Sequence, residues 1–535
     1  MSGADARDGD LRGQVRALLV DAAGAYRASP AEVVLRRELE RIDGPLRVAI
    51  AGRVKAGKST LLNALVGTQI AATDATECTR VVTAYAEGER EAAWAHLADG
   101  SVVEAAMRRT PDGGAFVDLA GTGEGAGRAA RALRVELPSP RLRRLTLIDT
   151  PGIASLSAEL SRHTEDFLLP WGRASTGGGD GGGDGETGDG RGAGGADAVI
   201  YLLRFLHAAD VGFLESFRRT GLGEATPAHA IGVLSRADEI APGRTESVDL
   251  ARRAAAGIGR DERVRALVQT VVPVAGLLAQ AGSRLAPDEL AGLLRLGGDP
   301  VAVVDELLLS ADRFAGPAAD TGVPAPLRAV LLDRLGLAGV RLAVALVQLG
   351  EARDPAGLAA ALTARSGLGE LQALLRGQFT DRADVLKAQR ALRVLDDVLD
   401  TWPHRSLAGL RARRERVEAG AHALAELRLL GDLRTGAAAG HGLGEDRRAQ
   451  MERLLGTAGT GVHDRLGLPA DAGPTEVRAA LLTALDGYRR LAENRMAARP
   501  VRRAAAVLRR TCEGLLRPAA EGERVAEDEP GRPGR

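Results

Sequence analysis

The sequence predicts an α/β domain with a mostly parallel sheet and helices on both faces, followed by an all-helical bundle. Three observations predict this. From residue 46 to about 285, short β-rich apolar runs alternate with helical stretches, the pattern that builds parallel sheets. Several of these runs are continuously apolar rather than alternating, as strands covered on both faces are. Beyond about residue 285 the strand signal ends, and apolar residues recur at three and four spacing.

The elements follow in order. Residues 1–9 are polar and are expected to be frayed, with no secretory signal. Residues 10–45 read as two amphipathic helices, with Ser29 and Pro30 as N-cap and first-turn proline of the second. Six runs then read as strands: LRVAIAG, RVVTAYA, LTLIDT, DAVIYLL, AIGVLS and TVVPVAG. Residues 172–196 interrupt them with a Gly-rich insert that lacks an apolar cluster. Such a segment cannot offset its ordering entropy and is expected to be a disordered loop inside the 46–285 domain. Residues 286–517 carry the helical pattern, broken by a Gly-rich stretch at 431–445, and 518–535 form a polar tail.

Composition narrows the function classes. Lys plus Arg equals Asp plus Glu at 71 each, and aromatics are 3%, so neither a strongly basic nucleic-acid face nor a base-stacking platform is expected. The two cysteines, Cys78 and Cys512, form no CxxC pair, and the eight histidines lack metal-ligand spacing. No apolar run reaches the roughly 18 residues of a membrane-spanning helix. The chain reads as cytoplasmic.

Positive charge is written almost wholly as arginine. Only Lys55, Lys58 and Lys387 are lysines, and two of them share the stretch GRVKAGKST from Gly52 to Thr60. GRVKAGKS fits G-x-x-x-x-G-K-S, and it stands between an apolar strand and a helix, the context that gives the pattern meaning. Glycines let backbone N–H groups turn inward around phosphate oxygens, and the helix N-terminus adds positive potential. Lys58 supplies a compact ammonium for β and γ phosphates, and Ser59 a hydroxyl for Mg²⁺. An arginine fork does not fill that place. The candidate nucleotide residues of this cradle are Gly52, Lys55, Ala56, Gly57, Lys58, Ser59 and Thr60. A second glycine pattern, GTGEGA at 121–126, reads as an ordinary loop.

Three stretches follow in a set order. TDATECTRVVT places Thr79 just before a strand, LTLIDTPG ends a strand at Asp149 and Gly152, and AIGVLSRAD ends one at Arg236 and Asp238. Asp149 can hold Mg²⁺ through water, and the Gly152 N–H can reach a γ-phosphate. Asp238 can accept two hydrogen bonds from guanine N1 and N2, which adenine does not offer. On these motifs residues 46–280 resemble the GTPase superclass, and within it the bacterial dynamin-like proteins. The helical remainder resembles a dynamin-type stalk in length and composition.

The resemblance implies a Mg²⁺-dependent GTPase head with helices on either side as a neck. It implies Thr79 as a Mg²⁺ ligand that senses the γ-phosphate, Asp149 as an indirect Mg²⁺ ligand, and Asp238 as the guanine selector. Arg236 replaces the usual lysine of the guanine motif, its stem able to lie along the base. Ala275, with Gly276, falls in the guanine-side loop. The resemblance further implies head dimerisation, assembly with itself or with a paralogous dynamin-like chain, and action at a membrane. Ile153 stands where many small GTPases place a water-orienting glutamine. The family uses a monovalent cation near the phosphates instead, and here Lys55 occupies that part of the cradle. Its ammonium takes over the charge, or it points to solvent or to a partner head; both readings stay open. The arginine-rich segment Arg489–Arg517 suits anionic headgroups at the inner face of the cell membrane, and equally a solvated or self-assembling face. Two rival readings are a GTP switch acting on ribosomes or RNA, and a nucleotide-dependent scaffold with little turnover.

Overall fold

The computed structural model describes residues 11–70, 81–97, 99, 101–109, 114–118, 130–150, 195–216, 227–240, 247–317, 321–436 and 443–527. The expected frayed residues 1–9 and nearly all of the Gly-rich insert 172–196 lie outside them.

Helices α1 (Leu11–Ala25) and α2 (Pro30–Asp43) come first. The Ser29 side chain accepts from Glu32 N at the start of α2, with Pro30 in its first turn. Among the described residues ten strands follow: β1 (Leu46–Gly52), β2 (Val82–Glu87), β3 (Ala92–Leu97), β4 (Val102–Arg109), β5 (Ala115–Asp118), β6 (Ala130–Leu137), β7 (Leu145–Asp149), β8 (Ala198–Leu203), β9 (Ala230–Ser235) and β10 (Val271–Val274). They form one sheet in the order β10-β9-β8-β1-β7-β2-β6-β3-β4-β5.

This sheet is mixed, which corrects the mostly parallel expectation. From β10 to β7 every neighbouring pair is parallel. Beyond β7 only β2 and β6 run parallel, while β7–β2, β6–β3, β3–β4 and β4–β5 are antiparallel. The physical reason lies in the outer strands. In β4 only Ala105 is buried, and Val102, Glu104, Ala106, Arg108 and Arg109 are exposed, so the cover on both faces that marks an inner parallel strand is missing.

β1 shows why the inner half needs cover on both faces. Val48 and Ile50 enter a core shared with Leu61, Leu62, Leu202 and Val233. Ala49 and Ala51 enter the opposite core with Tyr201, Phe213 and Ala255. The first of these cores also takes in Leu368, Phe379, Leu427 and Leu508 from the helical region. The head and the large helical region are therefore packed into one another.

Helix α3 (Lys58–Val66) follows β1, and later helices include α4 (Ala325–Gln348), α5 (Ala383–Thr401), α6 (His422–Thr435), α7 (Pro474–Glu493) and α8 (Arg499–Glu527). The last helix thus continues past Arg517. Helices α1 and α2 share a core with α5, through Val15, Leu35, Leu392 and Leu395. Helices α7 and α8 pair, and Met496 at their turn is 93% exposed. No helix among the described residues is long and apolar enough to cross a membrane.

The seam between α2, β8 and α5 is charged and buried. Asp197 accepts from Arg47 N at 2.8 Å and Arg41 at 3.2 Å, and Arg390 lies 3.6 Å away. Arg390 also reaches Glu38 and Ala196 O. Lys387 donates to Ile42 O at 2.8 Å and Gly44 O at 2.9 Å. The third lysine of the chain therefore caps the carboxyl end of α2, where a cation also meets the negative pole of the helix.

Candidate functional site

β1 ends at Gly52, whose φ is 151°. A Cβ there would stand 2.7 Å from Leu202 O on β8, so only glycine lets the two strands end this close. The chain then turns through Arg53, Val54, the left-handed Lys55 (φ 63°) and Ala56 to Gly57 (φ 92°), which begins α3. Lys58 is the first residue of that helix. Its Nζ donates to Gly52 O at 3.1 Å and Arg53 O at 3.2 Å, so the ammonium lies folded over the loop. Burial lowers its pKa, and the Asp149 charge opposes that shift.

Asp149 ends β7, beside Ile50 of β1 in the parallel register. Its Oδ1 is buried and has no hydrogen-bond partner among the described residues. Burial pushes the carboxyl up to about 6, against the pull of Lys58 and of the Thr150 N–H. Ser59 lies in the first turn of α3. An orphaned carboxylate oxygen and a hydroxyl beside a phosphate-type loop fit a hard cation that completes its shell with phosphate and water. Among the described residues no group of three or more His, Cys, Asp and Glu could hold a metal alone. Thr79 and Gly152 lie outside the described residues.

The other end of the site forms where β9 stops at Ser235. Arg236 turns left-handed (φ 54°, ψ 45°) and a 3-10 turn runs Ala237–Glu239. Asp238 lines an open cleft, with Ala56, Thr60, Arg236, Gly276 and Leu277 among its walls. Burial pushes its carboxyl up to about 6 as well; its own backbone N–H and Arg236 pull the other way, and Glu239 adds to the rise. Ala275 stands behind this wall, its N–H donated to Ser366 O at 2.8 Å, while Gly276 lines the cleft. Gln280 fastens the wall to α3 by donating to Thr60 O at 2.6 Å.

The structure thus brings Gly57, Thr60, Arg236 and Asp238 to one cleft, with Lys58, Ser59 and Asp149 at the start of the same helix. Both carboxylates sit at the carboxyl ends of parallel strands, where open α/β sheets bind ligands. Sequence reading missed Leu277, Gln280 and Glu239. Leu277 and Gln280 carry no local signal, whereas Glu239 stands three residues after Arg236 on a turn that eclipses such pairs. On the far side of the loop a second hollow is lined by Arg53, Val54, Arg204, Phe205 and Asp210. Phe205 is 69% exposed there.

Residues 48–170 match the dynamin family. The chain is 36% identical over 486 residues to the isoniazid-induced protein IniC of Mycobacterium tuberculosis, across 90% of this chain and 93% of that protein. It is 36% identical over 124 residues to the isoniazid-induced protein IniA of the same organism, across 23% of this chain and 19% of that protein. A solved oligomerised bacterial dynamin pair, described as a mechanism for long-range sensing and tethering of membranes, aligns over 99% of this chain and 78% of its own, at 11% identity and a TM-score of 0.32. A likeness that slight carries no argument.

Proposed function

This chain belongs to the bacterial dynamin-like family, and on that premise we propose that it binds GTP with Mg²⁺, hydrolyses it, and couples the cycle to assembly at a membrane. One observation supports this most: two unneutralised carboxylates, Asp149 and Asp238, stand at strand ends on either side of the α3 N-terminus, each raised to about 6. Carboxylates held so are poised for partners that arrive from outside.

In this reading the loop N–H groups and Lys58 bind the phosphates, Lys58 exchanging its contacts with Gly52 O and Arg53 O for charge-assisted ones. Ser59 and Asp149 would hold Mg²⁺, with Thr79 as a further ligand; the ion supplies positive charge to the phosphate oxygens. Gly152 donates to the γ-phosphate. Asp238 accepts from the guanine edge, and the stem of Arg236 covers the base plane. Lys55, exposed on the same loop, supplies a fixed charge in place of a monovalent cation. Equal turnover in potassium and in a large organic cation is the expected result; a potassium requirement would remove that role.

The partners proposed are GTP and GDP, further copies of this chain or a paralogous dynamin-like chain, and anionic lipid. The lipid contact is assigned to the Arg489–Arg517 segment, where Arg489, Arg490, Arg495, Arg499 and Arg503 are exposed beside Met496. The proposed place of action is the cytoplasm and the inner face of its membrane. The test is nucleotide turnover by the full chain with GTP and ATP, with Mg²⁺ or chelator, and with or without anionic vesicles. GTP-specific, Mg²⁺-dependent turnover is expected. Tight GTP binding without phosphate release would favour the scaffold reading instead.

A further inference from the structure

We propose that Glu239 is a positioning residue for guanine selection, which lets Arg236 serve where this family's motif uses lysine. The proposal rests on reading the cleft as a guanine-nucleotide site, and it names a residue that the motif does not contain.

The geometry begins with backbone conformation. Among the described residues three non-glycine positions have positive φ: Ala28, Lys55 and Arg236. The last two face each other across the mouth of the cleft, where Arg236 Nη2 donates to Lys55 O at 3.4 Å. Left-handed conformations in ordinary residues persist only where surroundings enforce them. Two ion pairs meet at this turn. Arg236 Nη1 donates to Glu239 Oε1 at 2.8 Å, and Arg204 Nη2 donates to Glu239 Oε2 at 2.5 Å. Each carboxylate oxygen is thus held by a different arginine, one from the end of β8 and one from the end of β9.

The chemistry explains why arginine here calls for an acid. A lysine ammonium is a compact point charge that one loop carbonyl can anchor. A guanidinium is a planar fork with donors on both arms and no acceptor. With Nη2 on Lys55 O, the other arm needs an acceptor in the same plane, or the fork swings out and takes the stem with it. Glu239 supplies that acceptor, its Oε1 standing 2.8 Å from Arg236 Nη1. The sequence SRADE is therefore a paired unit: the arginine and, three residues on, the acid that holds it extended across the cleft.

The three partners are 42–44% exposed, and ion pairs this open add little to fold stability. Loss of Glu239 should show in base selection, not in folding. A competing effect has the opposite sign. The Glu239 charge works against ionisation of Asp238, so on charge alone its removal would strengthen guanine binding. Weakened binding therefore points to positioning.

The experiment is a double-mutant cycle on the full chain, read by titration with fluorescent GDP and fluorescent ADP. In the wild type, Glu239→Gln should weaken GDP binding about five- to tenfold, toward the lower end for coupled neighbours, and leave ADP binding and the melting temperature unchanged. In an Arg236→Lys background the same substitution should change GDP binding less than about twofold, because lysine needs only the Lys55 carbonyl. Equal weakening in both backgrounds, equal weakening of GDP and ADP, or tighter GDP binding would each overturn the assignment. A wild type that binds GDP no better than ADP would instead overturn the guanine reading on which it stands.

Discussion

Three aspartates near the ends of strands in one sheet meet opposite fates. Asp149 and Asp238, at the carboxyl ends of β7 and β9, are raised to about 6 by burial that no full counter-charge offsets. Asp197 precedes β8 at the other end of the sheet. Burial would raise it too, yet Arg41, Arg390 and the Arg47 N–H outweigh that and hold its carboxyl below the ordinary range. One residue type therefore does two jobs. Where the fold supplies the partners, the carboxylate fastens α2, β8 and α5 together; where it does not, burial dominates, and in the proposed reading a ligand completes the site. The lysines divide the same way, with Lys387 spent on a helix end and Lys58 on the open loop.

The comparison breaks most sharply at Lys58. Lys58→Ala should abolish detectable nucleotide binding in a fluorescent GTP titration, because no neighbour replaces its charge; normal affinity would show that the open end is not a phosphate site. Asp197→Ala should cost about 3–5 kcal/mol of stability, since it leaves buried arginines unpaired, and denaturant unfolding measures it. A loss below about 1 kcal/mol would mean that the seam is wetter than its burial implies.

Asp238→Asn should have the reverse sign without nucleotide. Removing a poorly compensated charge should leave the fold unchanged or stabilise it by roughly 1–3 kcal/mol at pH 7, while GDP binding falls. Destabilisation would place Asp238 among the structural carboxylates. Lys387→Met should cost about 1–2 kcal/mol, read as a lower melting temperature with nucleotide affinity unchanged.

The smallest effect is the dependence on pH. A carboxyl raised in the folded state contributes stability below its ordinary value of 3.8, and that contribution is lost as pH rises through about 6. Ligand binding runs the other way, because Asp238 must be ionised to accept from guanine. The ratio of GDP to ADP affinity, in which phosphate protonation cancels, should fall by up to about tenfold from pH 7 to pH 5. A flat ratio would detach Asp238 from base selection. For Asp197, lowered in the fold, the stability contribution is present at neutral pH and is lost as pH falls through its folded value.

Much of the loop end was legible because its physics is local. A strand, a glycine that approaches Leu202 O, a left-handed glycine and a helix beginning at Lys58 lie within a few residues. The inner strands were legible for a related reason: a strand covered on both faces must be apolar at every position, as AVIYLL of β8 is. Strands β3 to β6 were not. Their alternation is diluted by alanine and arginine, and pairing partners alone make AAWAHL a strand. Glu239 has a local partner in Arg236, but its second partner, Arg204, lies 35 residues away, just past the end of β8.

By itself the sequence determined the phosphate-type loop, the order of the motif-bearing strand ends and the change from sheet to helix. Each of these is written in near-neighbour spacing, which sterics and periodicity decide. Only the tertiary structure decided which charges are spoken for. Lys387 meets α2 across 345 residues, and Arg390 meets Glu38 across 352. A carboxylate's ionisation depends on what surrounds it in space, so identical aspartates are lowered at one end of the sheet and raised at the other.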